Sequence, residues 1–341
     1  MTSRERVLAA LRREIPDRVP WIEGIVSDAL ATRLCGQKID VNWDIAPDGT
    51  PVASGAYLAE QQKIVCRTLG KDNINYNAFA PVYAGRTSMQ GVVVVGEGLI
   101  HTREDLRKMR FPDMDAPGFL DSAREFIAHK ENFCAIACIR LGIGAALMSM
   151  GLEAFSYAMA DDPDLIVEIL ERYADWTIRL APRLAEIGFD LFWAFDDVAF
   201  NNGPMFSPAF YRDTVLPIQQ RAANALELPL ITHSDGDMTP ILDDWLQLGQ
   251  AAIHPIQPDV MDINAVKARY GDRLCLVGNI FMDDLVHKGP ADIRQQVRDR
   301  IERIGAGGGY IISSSNSLTA DMKDENVRAM ADAIREFGAY G

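Results

Sequence analysis

Eight short, β-rich apolar runs alternate with longer helical patterns along nearly all of this 341-residue chain, and few folds accommodate that rhythm. The runs are RVPWIEGIV (18–26), NINYNAF (73–79), FCAIACIR (133–140), FDLFWAF (189–195), LPLITHS (228–234), AAIHPI (251–256), RLCLVGNI (273–280) and GYIISSS (309–315). Their interiors are almost continuously apolar, as parallel strands covered on both faces must be. The helical patterns carry start and stop signals. Residues 207–227 open on Ser207-Pro208, a cap followed by proline at the first helical position. Residues 239–249 run from Thr239-Pro240 to Gly249, residues 261–271 from Asp262 to Gly271, and 290–305 and 324–338 repeat the grammar. Eight strand–helix alternations predict an α/β fold, a (β/α)8 TIM barrel, with an open doubly wound sheet as the alternative. No GxGxxG follows the first run, which weakens the dinucleotide-binding form of that alternative.

The spacing is uneven. The stretches 27–72 and 80–132, after the first and second strands, exceed what one crossover helix needs. The first holds a helical pattern at 53–68; the second holds a hairpin pattern at 88–102 and then a DLRKMRFPD turn. Both start at the C-terminal rim, so they are expected to cap the mouth, with plain surface elaboration as the alternative. The glycine run 305–309 precedes the last strand and reads as a tight turn, since a phosphate cradle would follow a strand instead. No repeat, linker or low-complexity tract interrupts the chain, so residues 1–341 are expected to form one domain.

Charge and cysteine content narrow the function classes. Net charge is −14, from 34 Lys+Arg against 48 Asp+Glu, which speaks against a nucleic-acid groove and an anionic membrane surface but not against a protein partner or a homodimer. The longest apolar runs fall far short of the roughly 20 residues of a membrane span. The charged opening MTSRERVLAALRRE lacks the pattern of a secretory signal. Five cysteines with no CxxC pair are expected to be reduced, in a cytoplasmic protein.

In a barrel, polar residues at strand C-terminal ends are the candidates for function. They are Glu23, Asn75 and Asn77, Arg140, Asp196 and Asp197, His233 and Asp235, His254 and Gln257, Asn279, and Ser314, Ser315 and Asn316. The sharpest group is Asp196-Asp197 with His233-Ser234-Asp235-Gly236-Asp237. An imidazole with carboxylates is a workable zinc set. The competing reading is that the aspartates cap the following turn and His233 bonds a carboxylate without metal. His254 either meets a ligand at the rim or is a satisfied, partly buried histidine. His101, His129 and His287 read as surface residues, and Cys134 and Cys138, four apart on one strand, as packing. No GxSxG nucleophile elbow occurs.

Three segments carry a resemblance. TSRERVLAALRREIPDRVPW (2–21), the stretch from HSDGDMTPILDDW through DRLCLVGNI (233–280) and GGGYIISSSNSLTADMKDENVRAM (307–330) resemble uroporphyrinogen decarboxylase-like proteins. The resemblance implies a (β/α)8 barrel and one of two activities. One is the cofactor-free decarboxylase of haem biosynthesis. The other is methyl transfer to or from a corrinoid carried by a separate protein. The decarboxylases grip substrate carboxylates with an Arg-rich segment after the first strand, where this chain reads WIEGIVSDAL (21–30) without arginine. They also carry an Asp near the end of the second strand, absent from NINYNAFAP, and a late His where Asn316 stands.

The methyltransferase branch fits better. Its thiol-activating members hold zinc with His-x-Cys and a late Cys; here those places read His233-Ser234-Asp235 and Asn316. Members that demethylate aryl ethers use Glu, Glu and His, and their spacing from His233 lands on Asp197 and on Arg212, which cannot ligate, so Asp235 or Asp196 would complete the set. The resemblance therefore implies transfer of a methyl group from a small methylated substrate, with oxygen the expected heteroatom, to a corrinoid on a partner protein. A Zn²⁺ would sit on Asp197, His233 and Asp235. His233 and Asp196 would be catalytic, His233 serving as proton donor if no metal binds. Glu23, Asn77, Arg140, His254, Asn279 and Asn316 would bind substrate. The alternatives are a uroporphyrinogen decarboxylase-type lyase and a non-catalytic binding barrel.

Overall fold

A computed structural model describes residues 1–41, 53–89 and 92–340. Seven parallel strands form one curled sheet in the order of the chain: β1 (Asn73–Asn77), β2 (Cys134–Ile139), β3 (Leu191–Phe195), β4 (Leu230–His233), β5 (Ala252–His254), β6 (Cys275–Ile280) and β7 (Tyr310–Ser314). Every residue of β2 and β6 is buried, as the unbroken apolar runs require. All seven lie within the last seven predicted runs.

The first run, 18–26, is a correction. It forms no regular strand but bridges the sheet's two edges. On the β7 side Ile22 N–H donates to the Ile312 carbonyl (3.1 Å) and Ile312 N–H donates to the Pro20 carbonyl (2.9 Å). On the β1 side Asp72 N–H donates to the Trp21 carbonyl (2.7 Å), and side chains replace the rest of the ladder. Glu23 N–H donates to Asn73 Oδ1 (3.0 Å), while Asn75 Nδ2 donates to the carbonyls of Glu23 (2.8 Å) and Gly24 (2.6 Å). Pro20 has no N–H to give, which is one reason the segment cannot run as an ordinary strand.

Two apolar cores follow from the alternation of strand side chains. Ile22, Cys134, Ile136, Leu191, Trp193, Ile231, Ala252, Cys275, Val277 and Ile311 fill the inside of the curl, together with Val7, Ala10 and Leu11 of the N-terminal helix Ser3–Leu11. That helix opens on a Thr2–Glu5 capping box and plugs the N-terminal end of the strands. There Arg6 Nη1 (2.7 Å) and Arg18 Nη2 (2.8 Å) bond Asp72, and Arg4 (2.6 Å) and Lys130 (3.0 Å) bond Asp190. A larger core lies between the sheet and the outer helices. The plug leaves the C-terminal ends of the strands as the end where a site can form.

The other elements match the predicted grammar in part. Helices Ile263–Tyr270, Pro290–Arg303 and Asp324–Phe337 stand where expected, and the 305–309 turn packs on Arg13 and Glu14, with positive φ at Gly307, Gly308 and Gly309. The pattern 207–227 is not one α-helix: Pro208–Phe210 passes through a π-turn at Tyr211–Val215 into Leu216–Ala223. Pro217 lacks the N–H that an α-helical ladder would use there. The pattern 239–249 likewise divides into short helical turns. The first long insertion contains helices Asp28–Cys35 and Gly55–Leu69. The second contains the hairpin strands Ala84–Met89 and Val92–Gly98, four residues earlier than expected, with Gln90 and Gly91 outside the described residues. The end of this hairpin leans on helix Ile143–Met150, where the N–H groups of Leu99 (2.9 Å) and Ile100 (3.0 Å) donate to the Ser149 carbonyl. All five cysteines are unpaired. No single helix among the described residues is long and apolar enough to cross a membrane.

Candidate functional site

Register places the site. At the C-terminal ends of the strands Phe195 pairs with His233, and His233 pairs with His254, so three rings stand in one row across β3, β4 and β5. Asp197 follows β3 by two residues and Asp235 follows β4 by two. The turn at Gly236 brings them together. Gly236 has φ +89°, and a Cβ there would lie 2.6–2.7 Å from backbone atoms of Ala199 and Phe200; only glycine allows so close an approach. Asp235 N–H donates to Asp197 Oδ1 (3.0 Å), and Val198 N–H to Ser234 Oγ (3.1 Å).

The result is a trio. His233 Nε2 lies 3.4 Å from Asp197 Oδ1 and 3.8 Å from Asp235 Oδ1, and one ligand atom from each of the three falls within 4.8 Å of the others. The imidazole is 6% exposed, while the carboxylates of Asp197 and Asp235 are 48% and 34% exposed. Asn316 Nδ2 donates to Asp235 Oδ2 (2.5 Å), which fixes that carboxylate from β7's side. Burial raises the Asp235 pKa, and the neighbouring Asp197 charge adds to this against the pull of His233.

Hydrogen-bond partners assign the protons on the two imidazoles. His254 Nε2 faces the Ser314 carbonyl at 3.1 Å and, farther off, the Ser313 hydroxyl at 3.4 Å; the carbonyl only accepts and the hydroxyl has Glu23 Oε2 to donate to (3.3 Å), which favours the His254 proton on Nε2. Burial, with the His233 charge adding to it, holds the His254 pKa well below the usual imidazole value, so this ring is neutral and its Nδ1 is an acceptor. The Nδ1 atoms of His254 and His233 are 2.7 Å apart, so His233 must donate from Nδ1. When neutral, His233 therefore points its Nε2 lone pair at two carboxylates. Three electron-rich groups converging on one point call for a cation, either a proton on Nε2 or a metal ion. A tetrahedral ion held at about 2.1 Å sets its ligand atoms roughly 3.4 Å apart, close to the spacing found here. The residues fit the group.

Several other expected site residues are placed elsewhere. Asp196 is buried, and its oxygens accept from Leu141 N–H (2.5 Å) and Gly144 N–H (2.7 Å), so it braces the entry to helix Ile143–Met150 instead of joining the trio. Desolvation lifts its pKa to about 6. Glu23 is buried and its oxygens are spent: Oε1 accepts from Trp21 Nε1 (2.7 Å) and Ser314 N–H (2.9 Å), and Oε2 from Ser314 Oγ (2.6 Å). Asn279 is spent on Arg300 Nε (2.6 Å) and on the Ile256 carbonyl. His254 is 1% exposed and serves His233, so it positions a side chain and does not meet substrate. Asn77 is half-buried at the end of β1, and no hydrogen bond from its side chain is found among the described residues. Arg140 is half-buried, its guanidinium 4.1 Å from the Phe79 ring centroid. His101, His129 and His287 are exposed, as expected.

Sequence reasoning missed the aromatic wall. Phe195 packs on Trp193 (5.1 Å), on Phe79 (6.1 Å) and on His233 (5.2 Å), and Trp193 meets His254 edge-on (5.0 Å). The period-2 spacing of Trp193, Phe195 and Asp197 was the available signal. A cavity of about 810 Å³ lies elsewhere, between Gly96–Arg103 and Met150–Leu165, and none of the trio lines it.

Comparison with known proteins gives the family. The uroporphyrinogen decarboxylase (URO-D) model matches residues 88–337. Curated relatives named uroporphyrinogen decarboxylase include one from Methylococcus capsulatus, 30% identical over 184 residues covering 52% of this chain and 51% of the relative, and one from Hydrogenovibrio crunogenus, 25% identical over 258 residues covering 70% and 69%. The chain spans about half the length of the first of these relatives. Among solved structures, a methyltransferase from Methanosarcina mazei superposes with TM-score 0.77 at 18% identity, covering 99% of both chains. A B12-independent methionine synthase from Shewanella sp. W3-18-1 superposes with TM-score 0.53 at 11% identity, covering 94% and 98%. At such identities the likeness concerns the fold.

Proposed function

The chain belongs to the uroporphyrinogen decarboxylase (URO-D) family, and from that premise we propose that it is a methyltransferase, moving a methyl group from a small methylated substrate, with oxygen the expected heteroatom, to a corrinoid held by a partner protein. The observation that carries this reading is the His233 Nε2 lone pair aimed at Asp197 and Asp235. A metal ion held there would serve a heteroatom that must leave with an electron pair, whereas a proton there would serve either that leaving group or the carbon that loses CO2 in a decarboxylation, so a bound metal is what favours methyl transfer. The full-length likeness to the Methanosarcina mazei methyltransferase is consistent with it.

In the proposed reaction the methyl carbon–oxygen bond would break with its electron pair left on oxygen, and the partner's reduced cob(I) corrinoid, as co-substrate, would supply the pair for its own bond to the methyl carbon. A zinc ion on Asp197, His233 and Asp235 would supply Lewis acidity toward that oxygen. The chain's own residues set up the site. His254 keeps the His233 lone pair facing the mouth, Asn316 holds Asp235, and Asn77 and Arg140 remain open to orient the substrate. Should Nε2 carry a proton instead, His233 would deliver it to the leaving oxygen. The two long insertions would flank the mouth and leave room for a corrinoid protein to dock.

The decarboxylase reading has in its favour the names of the family model and of the curated relatives. Against it, residues 21–30 offer no arginine and Glu23 is buried. Two assays on one preparation separate the readings: transfer to free cob(I)alamin from a panel of methyl ethers, followed by loss of its absorbance, and turnover of uroporphyrinogen. We expect transfer, no decarboxylation, and loss of both activity and bound zinc in His233→Ala with an unchanged far-UV spectrum. Full activity of His233→Ala would sink the site assignment; turnover of uroporphyrinogen would sink the reaction.

A further inference from the structure

Arg140 stands in the same row as His233. It follows Ile139, which pairs with Ala194, and so lies level with Phe195, whose partner is His233. Phe79 flanks it on the other side, two residues beyond the Asn77–Cys138 pair. The guanidinium rests on Phe79, and Phe79 meets Phe195 edge-on. Arg140 Nε is buried with no hydrogen-bond partner. Among the described residues no carboxylate comes within 4.0 Å of this guanidinium. Asp196, the strongest negative influence on it, has given both oxygens to backbone N–H groups. Arginine stays charged in proteins, and a half-buried guanidinium with one buried N–H unbonded and no carboxylate in contact has room for an anionic partner. Stacking on Phe79 fixes its plane but does not neutralise it.

We propose that Arg140 binds an anionic group of the substrate, a carboxylate, and that the substrate reaches from there to the trio. Two strand spacings separate Arg140 from His233, about 10 Å, the span of a small acid bearing its methylated heteroatom at the far end. The planar fork suits a carboxylate's two oxygens. A phosphate dianion would call for more than one cation, and the rest of the row (Phe79, Phe195, His233 and His254) supplies none with a fixed charge. The rings of Phe79 and Phe195, which stand along the row between the two ends, favour a partly apolar body. The inference rests on the methyltransferase reading for the identity of the reacting end, but binding is measurable without transfer.

The test is calorimetric titration of methoxyacetate, 3-methoxybenzoate and 4-methoxybenzoate, each against its neutral alcohol, into wild type, Arg140→Lys and Arg140→Met. At least one acid should bind wild type about tenfold tighter than its alcohol, the scale of one charge-assisted contact. Arg140→Met should erase that preference and Arg140→Lys keep part of it. Equal affinity of acid and alcohol throughout the panel, absence of binding included, would overturn the anchor, and so would a folded Arg140→Met that keeps the preference. The wild-type comparison decides even where a variant fails to fold. Acid preference without methyl transfer would keep the anchor and remove the methyltransferase reading; transfer with no acid preference would do the reverse.

Discussion

His233 acts through its neighbour. Its useful nitrogen is Nε2, and what keeps a lone pair there is the Nδ1–H donated to His254, whose own proton is tied to the Ser314 carbonyl. Replacing His254 by Phe keeps a flat ring against Trp193, at slightly greater volume, but removes both the acceptor for His233 and the donor to the Ser314 carbonyl. His233 can then place its proton on either nitrogen, and its ring is held less firmly. Lost support of this kind typically costs 10–100-fold in metal affinity. We expect His254→Phe to weaken zinc by about that factor in a chelator competition while the protein stays folded. Unchanged affinity would show that the imidazole pair is packing only. At this scale the sequence was informative about polarity and poor about direction. That Asp197, His233 and Asp235 come together was legible because each stands at or two residues beyond the end of one of two adjacent strands. Asp196 was misplaced although the signal was present: Trp193 and Phe195 face inward, so Asp197 continues that face and Asp196 must turn away. Asn279 was not readable so simply, because Gly278 just before it has φ +128°, which breaks the alternation.

Among the elements, the turn after β4 matters most to the site. Gly236 permits Asp235 to approach Asp197, and alanine there would be strained twice, by positive φ and by contact with backbone that cannot swing aside. The backbone must shift, so Gly236→Ala should separate the two carboxylates. We expect destabilisation of about 1–3 kcal/mol by denaturant titration, with zinc binding lost to a greater degree than stability. A variant destabilised to that extent but binding zinc normally would mean that the carboxylates do not depend on this turn. Strands were the most legible elements because buried parallel strands are long, apolar and bounded. The seam at 18–26 was read as a strand because its composition is apolar; what replaces its ladder is the amide side chains of Asn73 and Asn75, which no periodicity encodes. Helices Ile143–Met150, Leu152–Asp161 and Pro163–Ile187 were not among the expected patterns. The first two are short and separated by Gly151, and Ile143–Met150 is apolar nearly all round, so it offers no stripe to detect.

For the whole molecule, the plugged end and the site end belong to one continuous sheet, so a ligand that ties Asp197 on β3's loop to His233 and Asp235 on β4's should be felt as stability of the entire fold. Beside His233, the carboxylates of Asp197 and Asp235 favour a divalent cation locally. This makes the choice between a metal and a proton on His233 measurable without any knowledge of the substrate. An ion bound only by the folded state, at 100 times its dissociation constant, adds about 2.7 kcal/mol. With an unfolding entropy of roughly 2.1 cal/mol/K per residue, a chain of this length should melt about 4 °C higher in zinc than in chelator. His233→Ala should melt at one temperature in both, because two exposed carboxylates alone hold zinc weakly. Asp196→Asn, which alters a carboxylate outside the trio, should keep the zinc-dependent shift even if its melting point falls. A wild-type melting point that ignores zinc would leave the proton as the cation between these groups, and His233 as the acid of the reaction.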